Sequence, residues 1–354
     1  MCIRDRYRGY DSAGIAVVDA TSANPKITVE KEVGKLSELR KTLEKRPLPN
    51  ATTAIGHTRW ATHGGVTRDN AHPHLSYDGK LALIHNGIIE NAEPYRAHLE
   101  ALGIKCVSET DTEVVAHLLE RAYLAEPGGN ADNTGEQSIT PGTIPLHSLD
   151  SNLSCAAGAT RLARAMLKVT RDLEGSFTLL VQHVDAPGVI VAARRSSPLV
   201  LGLSQGTNFL GSDVLAFAAR TKQALEIGQD EVVVVTPAGV LVMDQQGNEI
   251  LHTQGLEVIA QDPAQRKRAF EVDFATDRVT KEGFDTFMEK EIREQPRAVG
   301  DTIAGRLDAA EALTLDELRI EAEVFRSITS VIIVACGTAS YAGQVARYLS
   351  LIHI

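Results

Sequence analysis

Residues 81–91 read LALIHNGIIEN, an apolar run that stops on a dense polar group. Leu81, Ala82, Leu83 and Ile84 are the composition of a strand. His85, Asn86 and Gly87 then set an imidazole, an amide and a backbone without a side chain in succession. An Asn-Gly pair has two physical readings. It is the commonest hairpin signal, because both residues accept positive φ. It is also what an oxyanion hole needs, one amide side chain and one unobstructed N–H. The residues alone leave the choice open, and the choice decides whether this run ends in a turn or in a site.

Outward from this run, AGIAVV (13–18) and KITVEKEV (26–33) are further β-rich stretches. KLSELRKTLEK (35–45) and TEVVAHLLERAYL (112–124) are helical, with Asp111 and Thr112 as the capping turn of the second. The segment 126–159 is rich in Gly, Pro, Ser, Thr and Asn without sustained periodicity, which predicts a long surface insertion. From Arg161 a helical stretch leads into five strand-like runs: GSFTLLVQHV (175–184), GVIVAA (188–193), PLVLGL (198–203), EVVVVTP (231–237) and GVLVMD (239–244). That pattern predicts one sheet packed on another with helices covering the outside. Residues 261–307 turn charged and helical, as a linker or the leading helices of a second domain. SVIIVACGTASYAGQVARYL (330–349) then reads as strand, small-residue turn and helix, the opening unit of a parallel α/β domain.

Composition bounds the function. The 354 residues, 43% of them hydrophobic, allow two domains, or one with the beginning of another. A formal net charge of -10 disfavours nucleic acid or an anionic membrane as partner. No apolar run approaches the roughly 18 residues of a membrane span, and no signal-peptide core follows Arg4 and Arg6, so a cytoplasmic location is expected. Cys2, Cys106, Cys155 and Cys336 lie far apart with no CxxC pair, which points to reduced thiols rather than disulfides or zinc.

Three polar clusters interrupt the strand-like first half: GHTRWATHGG (56–65), NAHPH (70–74) and HNGIIEN (85–91). Their histidines, His57, His63, His72, His74 and His85, read most simply as satisfying backbone groups in loops. Metal binding is disfavoured, because HPH alone is a weak signal and no HExxH spacing accompanies it. Arg59 beside Trp60 is more specific. A guanidinium at a strand end suits a carboxylate, and the indole could shield the pair from water.

With YRGYDSAG (7–14) and SETDTEV (108–114), these clusters occur in the order and approximate spacing of the class II glutamine amidotransferases. In their spelling they resemble the glutamine:fructose-6-phosphate aminotransferase (isomerizing) family, and KEIREQP (290–296) and ACGT (335–338) are similar to that family's linker and sugar-isomerase start. The resemblance implies an α+β fold: a four-layer αββα N-terminal nucleophile hydrolase sandwich, a linker, and the first βα unit of an α/β SIS domain. It divides the chain into a glutaminase domain at 7–260, a linker with leading helices at 261–328 and the SIS start at 329–348. It implies that Arg59 pairs with the glutamine α-carboxylate and Asp111 with its α-ammonium. Asn86 and Gly87 would hold the oxyanion, and Trp60, Thr62 and His63 would lie in a loop over bound glutamine. Cys336, Gly337, Thr338 and Ser340 would bind the sugar phosphate of fructose 6-phosphate. The parent enzyme would need no metal or other cofactor and would form a homo-oligomer, a dimer.

The family nucleophile is an N-terminal cysteine followed by glycine, then a strand and a helix before the YRGYDSAG motif. Here Cys2 reaches Tyr7 at once, too short an interval for either element. Residues 1–6 and 349–354 also read as one DNA adapter translated in its two orientations. Both stretches are therefore expected to be non-native, Cys2 not to be the true nucleophile, and the chain to be an inactive fragment. The alternatives are another class II amidotransferase, such as the phosphoribosyl-diphosphate type, and a non-catalytic glutamine or sugar-phosphate binding module.

Overall fold

A computed structural model of the chain describes residues 10–19, 25–61, 64–126, 156–272, 283–303, 322–335 and 337–352. In it Leu81–Ile89 is one unbroken strand whose side chains alternate between two cores. Leu81 and Leu83 pack with helices, whereas Ala82 and Ile84 pack against a second layer of sheet. A period of two is what a strand buried on both faces requires.

In chain order the first elements are β1 (Ser12–Asp19), β2 (Lys26–Val33), α1 (Leu36–Lys45), β3 (Ala54–Arg59), β4 (His74–Leu75), β5 (Leu81–Ile89), α2 (Ala92–Ala101), α3 (Asp111–Ala125) and α4 (Ala156–Asp172). Then come β6 (Gly175–His183), β7 (Ile190–Arg195), β8 (Val200–Leu203), β9 (Phe209–Gly211), β10 (Gln223–Glu226), β11 (Val232–Val235), β12 (Val240–Met243), β13 (Glu249–Gln254) and β14 (Glu257–Ile259). The last are α5 (Pro263–Arg266), β15 (Ala269–Glu271), α6 (Phe287–Ile303), α7 (Ala322–Ser327) and α8 (Gly337–Ile352).

The strands form an eight-stranded sheet, β14-β13-β12-β11-β7-β6-β5-β4, and two smaller ones, β2-β1-β3 and β15-β10-β8-β9. On one face of the large sheet α3 and α4 bury Leu119, Met166 and their neighbours against Phe177, Leu179 and Val234. On the other face Ile55, Leu201 and Leu225 from the small sheets meet Ile84, Leu180 and Val233. Outside the first small sheet, Leu36 and Leu39 of α1 pack on Ala13 of β1. The order is helices, sheet, sheets, helix, an α+β arrangement in which each layer buries the face its sequence pattern makes apolar.

Most strands and helices read from the sequence form where expected, and three readings are corrected. The cap of α3 is Thr110, whose side chain accepts a hydrogen bond from Glu113 N–H, so Asp111 and Thr112 are already helical. Residues 261–272 are helical only over Pro263–Arg266, and Ala269–Glu271 instead adds a strand to the edge of β10. That edge offers a ladder, and Arg268 is held there by the Glu226 carbonyl and the Glu231 carboxylate, so pairing outweighs the helical composition. The strand expected at 330–335 does not form. Val331, Ile332 and Val334 are exposed, and no described strand pairs with them, as a ladder would require.

By internal contacts the chain divides into two units, residues 1–287 and 288–354. Residues 1–9, most of the insertion (127–155), and 353–354 lie outside the described residues. No described helix is long and apolar enough to cross a membrane.

Candidate active site

The C-terminal ends of β3 and β5 and the start of α3 converge on one cleft of about 730 Å³. Arg59, Trp60, Asn86, Gly87 and Asp111 all line it. Three segments far apart in the chain thus deliver five of the expected site residues to one place.

Asn86 and Gly87 lie inside β5, paired with Thr178 and Phe177 of β6, so the hairpin-turn reading does not apply. Gly87 has φ +137°, a conformation open mainly to glycine. A Cβ there would also run into the Ser176 carbonyl oxygen. Asn86 is exposed at the cleft, while its backbone carbonyl accepts a hydrogen bond from Ser197 Oγ at 3.2 Å.

Arg59 closes β3 and is 4% exposed, with Nη1 donating to the Gly65 carbonyl at 3.2 Å. Asp111 opens α3, where a carboxylate also meets the positive end of the helix dipole. Its Oδ2 accepts from Ile89 N–H at 2.8 Å and its Oδ1 from the Thr112 hydroxyl at 3.3 Å. A buried cation and a buried anion in one cleft match the two ends of an amino acid zwitterion. Trp60 does not shield Arg59: its side chain is 72% exposed. Trp60 follows the last residue of β3, past the end of the ladder that buries Arg59.

The histidines are not loop residues in the main. His57, His74 and His85 belong to β3, β4 and β5, and with His72 they form a close cluster beside the cleft. The His57 and His72 rings stack at 4.4 Å. His72 does satisfy a backbone group, since its Nδ1 accepts from His85 N–H at 3.3 Å. Its proton therefore sits on Nε2, which donates to Thr112 Oγ1 at 3.4 Å. The Thr112 hydroxyl lies between Asp111 Oδ1 at 3.3 Å and His85 Nδ1 at 3.0 Å. His85 Nε2 is buried with no described hydrogen-bond partner. Burial, reinforced by His85 and Arg59, lowers His57 to about 3. Burial, with Lys31, lowers His74 to about 3, and burial with the neighbouring imidazoles holds His72 well below its ordinary value. These three rings are neutral at physiological pH.

Cys2, Thr62, His63 and Cys336 lie outside the described residues. Gly337 opens α8 with Thr338 next to it, and Ser340 is half-buried in its first turn. Cys106 is half-buried and away from the cleft, its thiol pushed up to about 11 by burial. Among the described residues no three His, Cys, Asp or Glu side chains are arranged to hold a metal. The cleft also takes Ser176 and Thr178 from β6, which the sequence reading did not single out. They sit opposite Ile88 and Asn86, and their two-residue spacing in GSFTLL is the signal that could have found them.

Residues 13–124 match the family model of the glutamine amidotransferase domain. Beyond that domain, the chain is 45% identical over 98% of its length to the glutamine–fructose-6-phosphate aminotransferase (isomerizing) of Corynebacterium diphtheriae, covering 47% of that protein. It is 46% identical over 98% of its length to the enzyme of the same name from Streptomyces coelicolor, covering 48%. The chain thus spans about half the length of these curated relatives. A solved structure of the allosteric regulatory enzyme of purine biosynthesis aligns with TM-score 0.50 and 23% identity, over 69% of this chain and 44% of that one. That likeness is one of fold alone.

Proposed function

We propose that the cleft binds glutamine by its zwitterionic end and that the chain is part of a transferase that passes the amide nitrogen of glutamine to fructose 6-phosphate. One observation carries the reading: Arg59, Asp111, Asn86 and Gly87 line a single cleft. Arg59 takes the α-carboxylate and Asp111 the α-ammonium. The side-chain amide then extends toward Asn86 and Gly87, where an amide group and a backbone without a Cβ can stabilise a tetrahedral oxyanion. The names and identity of the relatives supply the sugar substrate, glucosamine 6-phosphate being the product.

The helix-sheet-sheet-helix order supports an N-terminal nucleophile hydrolase as the finer fold. On this reading residues 7–260 are the glutaminase domain, 261–328 the linker and 329–348 the SIS start that meets the sugar phosphate at Cys336, Gly337, Thr338 and Ser340. The parent enzyme is then a cytoplasmic homo-oligomer. Trp60, Thr62 and His63 cover bound glutamine.

Calorimetry with L-glutamine, paired with an assay of glutamate release, tests the proposal. The chain should bind glutamine, and Arg59→Ala and Asp111→Asn should each weaken binding by about tenfold or more, the scale of a lost hydrogen bond to a charged group. Binding without glutamate release is expected if Cys2 is not the nucleophile, and is shared with a glutamine-binding module. No binding by the unaltered chain would overturn the reading.

A further inference from the structure

Asn70 does not line the cleft, yet its side chain ties together the loop that follows Arg59 and the loop that precedes Asp111. It is 2% exposed, in the segment between β3 and β4. Its Nδ2 donates to the Gly65 carbonyl at 3.0 Å and to Glu109 Oε2 at 2.9 Å, and its Oδ1 accepts from Glu109 N–H at 2.9 Å. The bonds fix the amide's orientation, because a carbonyl needs the NH₂ and an N–H needs the oxygen.

Each end of this clamp leads directly to a charge. The Gly65 carbonyl is the same oxygen that accepts from Arg59 Nη1. Glu109 stands two residues before Asp111, and its Oε2 also accepts from Gly65 N–H at 3.0 Å. Gly65 and Glu109 are therefore joined both directly and through Asn70. Gly64 lets the parts approach: at φ +73° a Cβ would lie 2.7 Å from Asn70 Nδ2 and 2.8 Å from Glu109 Cβ. On its far side the Asn70 segment is held by Lys31 Nζ, which donates to the carbonyls of Asp69, Ala71 and Pro73.

We propose that Asn70 is a positioning residue that sets the separation of Arg59 and Asp111, so that the cleft reads the distance between the α-carboxylate and the α-ammonium of its ligand. The proposal rests on the glutamine reading and deepens it. A ligand with both charges needs Arg59 and Asp111 at one fixed spacing; a ligand with one charge needs only one of them. Removing the clamp should therefore penalise glutamine selectively.

The test compares L-glutamine with two single-charge analogues, 4-carbamoylbutanoate and 4-aminobutanamide, by ligand-observed NMR titration. In Asn70→Ala the affinity for glutamine should fall about tenfold, while that for each analogue changes less than about twofold. Glu109→Ala, at an exposed residue whose loss leaves the core intact, should show the same selectivity with a smaller loss, and serves if Asn70→Ala does not fold. Equal losses for all three ligands would reduce Asn70 to general structure and overturn the proposal. Unchanged glutamine affinity in both variants would overturn it alone, and no glutamine binding by the unaltered chain would overturn it together with the function.

Discussion

Gly87 meets two demands that no other residue satisfies together. Its φ of +137° is strained for any side chain, and a Cβ would strike the Ser176 carbonyl of the neighbouring strand. Gly87→Ala should cost about 1–3 kcal/mol. Urea unfolding reads this directly, and an unchanged midpoint would contradict the strain. The histidines yield a second expectation. His57 and His74 are lowered from 6.5 to about 3, so the unfolded chain takes up protons that the folded chain refuses. Their contribution to stability is complete above pH 6.5 and is lost as pH falls toward 3, by roughly 1–2 kcal/mol for each ring at pH 5. Urea titrations at pH 7.5, 6 and 5 should show the decline, and a flat profile would contradict neutral burial. Arg59, Asn86 and Gly87, which line the cleft, stood out in sequence because each offers a distinct chemistry, whereas Asp111 read as part of a capping turn and was singled out only by the family resemblance. The stacking of His57 on His72 was not, since it depends on how distant strands meet.

Thr110 joins a helix to the site. Its side chain caps α3 at Glu113 N–H, and its Oγ1 also meets the buried His74 Nε2 at 3.1 Å. Thr110→Ala should lower stability by about 1–2 kcal/mol through the lost cap, whereas Thr110→Ser should retain most of it. Denaturant midpoints distinguish the two, and equal losses would contradict the capping role. Long periodic segments such as α3 and β5 were readable because their pattern is local and repeated. The cap was misplaced by one residue because Thr110, Asp111 and Thr112 are all good capping types. Ala269–Glu271 was misread for a different reason: three residues are too few to show a period, and their conformation is decided by the free edge of β10.

The large sheet is buried on both faces, and this sandwich holds the cleft's walls in place. Pairings such as Leu81 with His183 join segments far apart in sequence. No local pattern encodes such a register, which is why Ser176 and Thr178 went unnoticed beside Asn86. Two-sheet packing was legible from the number of short apolar runs, and the layer order from the family resemblance. The charges that face the cleft come from different layers: Arg59 from a small sheet and Asp111 from the helical layer above the large one. Their meeting is a product of the fold, and the proposed recognition of glutamine rests on it. A crystal structure of the chain with L-glutamine tests it most directly. The α-carboxylate should lie on the Arg59 guanidinium and the α-ammonium on the Asp111 carboxylate, with the side-chain amide at Asn86 and Gly87. Glutamine bound elsewhere, or reversed with its amide between Arg59 and Asp111, would contradict the account.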